Sequence, residues 1–231
     1  MKQIIAMGAG RVNNGKAHDL MERYLLAAAG KPRPRICFVP TARGDQESEI
    51  DAMLARLDKL DCQPSVLRLV RPDLSDPASF LLEQDIIYVG GGNTKNMLAL
   101  WREWGLDEAV FAAYEAGAVL AGWSAGAICW FQTGVTDSIP GDLTALDCLG
   151  ILQGSCCPHY DGEKERQPSY ARLINQGALG PGYAIDDAAA IHFVDGKLSK
   201  AICSKPGAQA YWVEKQGDKI VEKPLHAELL S

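Results

Sequence analysis

The stretch Val119-Leu120-Ala121-Gly122-Trp123-Ser124-Ala125-Gly126 decides the fold. Its first five residues carry no charge and have the length of a strand buried on both faces. The serine that follows begins a helical pattern. A buried strand that runs straight into a helix is the repeating unit of a parallel sheet with crossover helices. The same unit recurs upstream. A strand over 3–7 precedes a helix over 17–29. An apolar run over 36–39 precedes a helix over 47–60, with Ile50, Met53, Leu54 and Leu57 on one face. A strand over 85–89 ends in Gly90-Gly91-Gly92-Asn93-Thr94, and helices are expected over 94–104 and 107–116. A further strand is expected over 66–70.

The last third has a different texture. Residues 183–194, 200–204 and 210–222 are strand-rich, and Gln216-Gly217-Asp218 suits a hairpin turn. No linker of low complexity, internal repeat or charge block interrupts the chain. The expectation is one α/β domain over 1–231: a three-layer sandwich with a mostly parallel central sheet and a β-rich C-terminal portion.

Composition narrows the function. The 231 residues are 47% hydrophobic and 23% charged, which is enough apolar matter for a substantial core. A net charge of −6 gives no general attraction to nucleic acid or to an anionic membrane. No apolar run approaches the ~18 residues of a membrane span, and the N-terminal residues lack a leader pattern. Seven cysteines, odd in number and without a CxxC, read as reduced core thiols in a cytoplasmic protein. Adjacent Cys156 and Cys157 could form a redox or metal feature, although no second ligand pair lies near them in sequence.

The chemistry concentrates at Ser124. In Gly122-Trp123-Ser124-Ala125-Gly126, a G-x-S-x-G pattern, a tight strand-to-helix turn would lift the hydroxyl above the sheet, with glycines where neighbouring side chains would collide. The following helix start directs N–H groups to the same place, so the N–H of Ala125 is a natural oxyanion donor. A plain helix N-cap is the simpler reading of the same serine. The glycine loop at 90–92 lets backbone approach a ligand closely, and Asn93 or Thr94 can cap the helix after it. Both segments end parallel strands, where ligand sites of such sheets lie.

A serine hydroxyl needs a base, most often histidine. Of His18, His159, His192 and His226, the proline-bounded loop Cys157-Pro158-His159-Tyr160-Asp161-Gly162 offers the best functional setting, with His192 second. An orienting carboxylate could come from Asp186 or Asp187, which interrupt an apolar run. Strand alternation would send the two to opposite faces, so only one is expected to meet the imidazole.

With these residues quoted, the chain resembles the dipeptidase E (aspartyl dipeptidase) family, which includes cyanophycinase relatives. The resemblance rests on Val-Gly-Gly-Gly-Asn-Thr at 89–94, Gly-Trp-Ser-Ala-Gly-Ala at 122–127, Pro-His-Tyr at 158–160 and Ala-Ile-Asp-Asp at 184–187. It implies a fold similar to class I glutamine amidotransferases and hydrolysis of dipeptides with N-terminal aspartate, without metal or cofactor. It further implies Ser124 as nucleophile, His159 as base, and Gly92 and Ala125 as oxyanion donors. Asp187 stands where the family has glutamate, one methylene longer; Asp186 is the alternative. Asp137 matches a further acidic position near the family's site, and Asn93 is a further candidate for binding substrate. Arg166, with Arg172 beside it, is the candidate cation for the substrate's acidic side chain. The implied partner is a small peptide, and a homodimer is compatible with the sequence.

Three rival readings differ in class. An esterase of the α/β-hydrolase type would order its triad serine, acid, histidine, using Asp187 with His192 or His226. A nucleotide-binding reading rests on Gly10-Arg-Val-Asn-Asn-Gly15-Lys16-Ala17, a near P-loop with Ala17 where Ser or Thr should hold Mg²⁺. The third is a non-enzymatic binding member of the same fold.

Overall fold

Four strands with apolar side chains on both faces form the centre of the molecule: β1 (Gln3–Met7), β2 (Arg35–Val39), β4 (Ile86–Val89) and β5 (Val119–Trp123). They run parallel, with β3 (Gln63–Val66) outside β2. Period-two alternation sends Ile4, Cys37, Ile87 and Leu120 to one side and Ile5, Ile36, Ile86 and Val119 to the other. Helices cover both sides. Met21 and Leu25 of α1 (His18–Ala28) and Ile50, Met53 and Leu57 of α2 (Glu47–Leu57) pack on the second set. The first set meets α3 (Pro77–Leu82), α4 (Thr94–Glu103), α5 (Leu106–Glu115) and α6 (Ala125–Ile128). Burying such strands on both faces is what requires this three-layer, mixed α/β arrangement. This computed structural model describes residues 1–9 and 18–231, and the side chain of His18 is outside that set. The near P-loop at 10–17 therefore lies outside the described residues.

The strand-rich last third does not simply extend this sheet. A second, six-stranded sheet is built from β6 (Phe131–Thr136), β7 (Thr144–Asp147), β8 (Leu152–Cys157), β9 (Gly182–Ile185), β12 (Ala210–Gln216) and β13 (Lys219–Pro224). Its order is β13-β12-β9-β8-β6-β7. One of its faces joins the main core, and α7 (Arg166–Asn175) covers the other through Tyr170, Leu173 and Ile174. β10 (Ala189–Val194) and β11 (Lys197–Cys203) return to the first sheet, where β10 pairs antiparallel with β1; β14 (Glu228–Leu229) closes that edge. The order of the eight-stranded sheet is β14-β11-β10-β1-β5-β4-β2-β3.

Two expectations change. The strand over 66–70 stops at Val66, because Asp45 Oδ2 accepts the N–H groups of both Leu69 and Val70 at 2.6 Å and takes them out of the ladder. The run 183–194 breaks into β9 and β10, which belong to different sheets. Asp186, Asp187 and Ala188 form the turn between them, so the two aspartates do not sit on opposite faces of one strand.

Candidate active site

Ser124 follows β5 with φ 53° and ψ −113°, a conformation that costs a residue with a side chain roughly 1–3 kcal/mol. The flanking sequence permits it. A Cβ on Gly126 would strike the Val89 carbonyl of β4, and one on Gly122 would strike the Gly126 carbonyl as well. The backbone of Ser124 is held by donation of its N–H to the Met7 carbonyl at 3.3 Å, and its own carbonyl receives the N–H groups of Ala127 and Ile128. The helix that follows is a single turn. Its first N–H groups have no intrahelical acceptor, which leaves that of Ala125 beside the hydroxyl.

The glycine loop meets this elbow from the next strand. A side chain on Gly91 would begin 3.2 Å from Ser124 Cβ. Gly92 has φ 140°, and a side chain there would collide with the Ala42 carbonyl. Asn93 is used locally: its Oδ1 accepts the Asn96 N–H to cap α4, and its Nδ2 donates to the Ser138 carbonyl.

The second sheet supplies the imidazole. β8 and β9 are parallel neighbours, with Cys157 beside Ala184, so the residues just beyond their carboxyl ends meet. His159 and Asp187 are those residues, and His159 Nδ1 lies 2.8 Å from Asp187 Oδ1. A carboxylate only accepts, so Nδ1 carries the hydrogen, and the neutral form of the ring then has its lone pair on Nε2. The loop and the turn are tied twice more: Tyr160 N–H donates to the Ile185 carbonyl at 3.1 Å, and Asp187 N–H donates to Asp161 Oδ1 at 2.7 Å. Asp186 points elsewhere. Its buried carboxylate accepts the Gln209 N–H at 2.9 Å, and burial pushes its pKa up to about 6.

Ser124, His159 and Asp187 line one cavity of about 920 Å³, with Gly91 and Gly92 at the same end and α2 along its length. Among the described residues Ser124 and His159 share this cavity without a hydrogen bond between them. Free enzymes commonly hold such pairs loosely until substrate arrives.

His192 is placed elsewhere. It sits buried in β10, where Tyr24 Oη lies 2.6 Å from Nδ1 and Gln3 Oε1 3.1 Å from Nε2. Gln3 donates its amide nitrogen to the Ala28 carbonyl, so Oε1 is the acceptor, Nε2–H donates, and Tyr24 donates to Nδ1. Burial lowers its pKa, consistent with a neutral ring. Arg166 is also buried, with Nε donating to Glu163 at 2.6 Å and Nη1 to the Val135 carbonyl at 3.1 Å. Asp137 is exposed and 4.0 Å from Arg166 Nη2. Neither lines the cavity. Arg43 and Glu49 do, and sequence reasoning passed over both. The available signal was the position of Arg43 just after a parallel strand, at the same carboxyl edge as the glycine loop.

All seven cysteines are free. Burial raises the thiols of Cys37, Cys148 and Cys157 to about 12, and those of Cys129 and Cys156 well above the usual value. Among the described residues no cluster of His, Cys, Asp or Glu has the grouping to hold a metal ion, and no helix is long and apolar enough to cross a membrane.

A strained serine at a strand-to-helix elbow, in an α/β frame and above a glycine loop, is the arrangement of hydrolases that act on acyl bonds. The chain matches the model of peptidase family S51 over residues 4–201 and belongs to that family; it is a peptidase of the serine type. It is 50% identical over 230 residues to the uncharacterized peptidase YgaJ of Bacillus subtilis strain 168, covering 100% of both chains. Two solved structures share the fold. A peptidase from an acI-B1 Actinobacterium superposes with a TM-score of 0.70 at 14% identity, over 96% of this chain and 94% of that one. A putative peptidase E protein from Listeria monocytogenes EGD-e does so with 0.61 at 19% identity, over 97% and 99%.

Proposed function

We propose that this peptidase cleaves small peptides through an acyl-enzyme on Ser124, with His159 as general base and Asp187 as its orienting carboxylate. The observation that carries the reading is the cavity shared by a strained Ser124 and a His159–Asp187 pair whose hydrogen bond leaves Nε2 free to take a proton. In the reaction, Ser124 Oγ attacks the scissile carbonyl and its proton passes to His159 Nε2. The N–H groups of Gly92 and Ala125 hold the oxyanion. The intermediate collapses as His159 protonates the leaving amine, and water then cleaves the ester by the same steps in reverse roles.

Dipeptides with N-terminal aspartate are the proposed substrates, on the resemblance noted above. Seven unpaired, largely buried thiols favour the cytoplasm as the site of action.

The test is a dipeptide panel varied at the first residue, run on the wild type and on Ser124→Ala. Turnover should vanish in the variant, and a fluorophosphonate should label the wild type alone. Undiminished hydrolysis by folded Ser124→Ala removes the reading; turnover that ignores the first residue removes the aspartate preference.

A further inference from the structure

Cleaving a small peptide means handling a charge within one or two residues of the scissile bond, and desolvating an unpaired carboxylate is costly. The sequence pointed to Arg166 for the matching cation, but its guanidinium is buried against Glu163 and the Val135 carbonyl. Among the described residues the cavity itself offers Arg43, Arg56 and Lys59. Arg56 is committed to the buried carboxylate of Glu22, with Nη2 at 3.2 Å from Oε1. Lys59 stands beyond the far end of α2, whose 11 residues span roughly 16 Å.

Arg43 differs from both. It ends the short 3-10 turn Thr41–Arg43 after β2, and its backbone nitrogen lies 3.0 Å from where a side chain on Gly92 would begin. Its side chain therefore leaves the backbone beside the glycine loop and is about half exposed. Glu49, on the cavity face of α2, engages it through one edge: Arg43 Nε is 3.3 Å from Glu49 Oε2. The contact is a pairing of charge that holds the guanidinium at the cavity wall, and a guanidinium this exposed has N–H groups that can meet a second carboxylate in the forked geometry that planar groups share.

We propose that Arg43, held beside Glu49, is a carboxylate-binding residue of this cavity, and that its ligand is the carboxylate of a small peptide, from either the C-terminus or an acidic side chain. The proposal rests on the Ser124 reading of the same cavity, so its test is a binding measurement that needs no turnover. Ser124→Ala and Ser124→Ala with Arg43→Gln are titrated calorimetrically with matched dipeptides: aspartate against asparagine in the first position, and a free against an amidated C-terminus. Arg43→Gln should weaken the carboxylate-bearing peptide at least about tenfold, as loss of a charge-assisted hydrogen bond does, and its neutral twin by less than about twofold. Arg43→Lys should recover part of the loss.

Which pair loses its discrimination identifies the source of the carboxylate. Both discriminations surviving in Arg43→Gln would overturn the proposal, as would equal weakening of every peptide or failure of the parent to bind any of them. Fluorophosphonate labelling of the wild type separates the two levels. Labelled Ser124 with an indifferent Arg43 sinks this inference alone, whereas no labelling sinks the acyl-enzyme reading.

Discussion

Replacing Asp187 by asparagine isolates the charge of the orienting group, because the side chain keeps its size and one oxygen. The bond at stake is the 2.8 Å contact between Asp187 Oδ1 and His159 Nδ1. When Ser124 gives up its proton the imidazole becomes a cation about 4 Å from the carboxylate centre. At an effective dielectric near 20 the attraction is about 4 kcal/mol. That figure is an upper bound, because the Asp187 side chain is 39% exposed and His159 18%. A charge-assisted hydrogen bond in such a setting is worth about 1.5–3 kcal/mol, a factor of roughly 10–150. A rotated amide that donated to the ring would force the hydrogen onto Nε2 and deepen the loss, toward the ~10⁴ known for the wrong tautomer in serine proteases.

The expected result for Asp187→Asn is therefore a loss of about a hundredfold in kcat on a dipeptide, with KM and Tm little changed. Asp186→Asn, beside it in sequence but bonded to Gln209, should stay within about threefold of the wild type. The assay is steady-state kinetics on both variants, with Ser124→Ala as the floor. If Asp187→Asn keeps full kcat while folded, or if Asp186→Asn is the damaging change, the orienting role assigned to Asp187 is wrong.

Asp161→Ala removes the acceptor that fixes the Asp187 backbone and should lower kcat about tenfold. Asp161→Asn, which keeps an acceptor, should not, and Asp187→Glu should restore part of the loss in the alanine background by lengthening the reach; full activity in Asp161→Ala would show the clamp to be idle. Asp186 has a folded-state pKa raised by burial to about 6 from an ordinary 3.8, so the folded state holds that proton more tightly and stability is lost as pH rises from about 4 to 6. Urea midpoints should fall across that window in the wild type and not in Asp186→Asn; parallel curves would contradict the assignment. Gly126→Ala drives a methyl into the Val89 carbonyl and should cost at least the ~1–3 kcal/mol of overpacking, read as a lowered Tm or insoluble protein. An unchanged Tm would mean that the elbow yields.

The parallel centre of the first sheet, β1, β2, β4 and β5, was legible because its strands are short apolar runs, each closed by a helix pattern, and burial on both faces leaves no other reading for segments such as 86–89 and 119–123. The elbow and the glycine loop were legible for the same reason, since their glycines fall where those strands end. The second sheet was legible in part: the β12–β13 hairpin turns at 216–219 as its sequence suggested, and β9 falls in a strand-rich run, whereas β6, β7 and β8 gave no such signal. Phe131-Gln-Thr-Gly-Val-Thr136 and Leu152-Gln-Gly-Ser-Cys-Cys157 mix polar and small residues, since Gln132 and Gln153 face outward. Such short stretches carry little periodicity. The break at 186–188 was hidden by its own alanines: local composition continues as a strand, and only pairing partners reveal that the chain changes sheets. Arg166 illustrates the limit for charged residues. Its position after the histidine loop suggested a free cation, while the fold buries it as a tie between α7 and β6.

That change of sheets explains how the site is assembled. The first sheet brings Ser124 and the glycine loop together, because β4 and β5 are parallel neighbours that end at the same level. The second sheet brings His159 and Asp187 together by the same rule applied to β8 and β9. Each pair is thus fixed by a hydrogen-bonded ladder, which tolerates little error. The two pairs are joined through β1, which lies between β5 and β10. The Ser124 N–H donates to the Met7 carbonyl, and the N–H of the next residue, Gly8, donates to the Ala189 carbonyl just past the turn that carries Asp187. A side chain on Gly8 would strike the Asp186 carbonyl, so glycine is what lets the end of β1 pass against that turn. Phe131 and Tyr183 of the second sheet pack on Phe193 of the first, with ring centres 5.8 and 5.2 Å away, and add side-chain contact to the same junction. Serine, imidazole and carboxylate are therefore brought to one cavity by consecutive backbone ladders, joined at the turn at 186–188, whose composition did not reveal it.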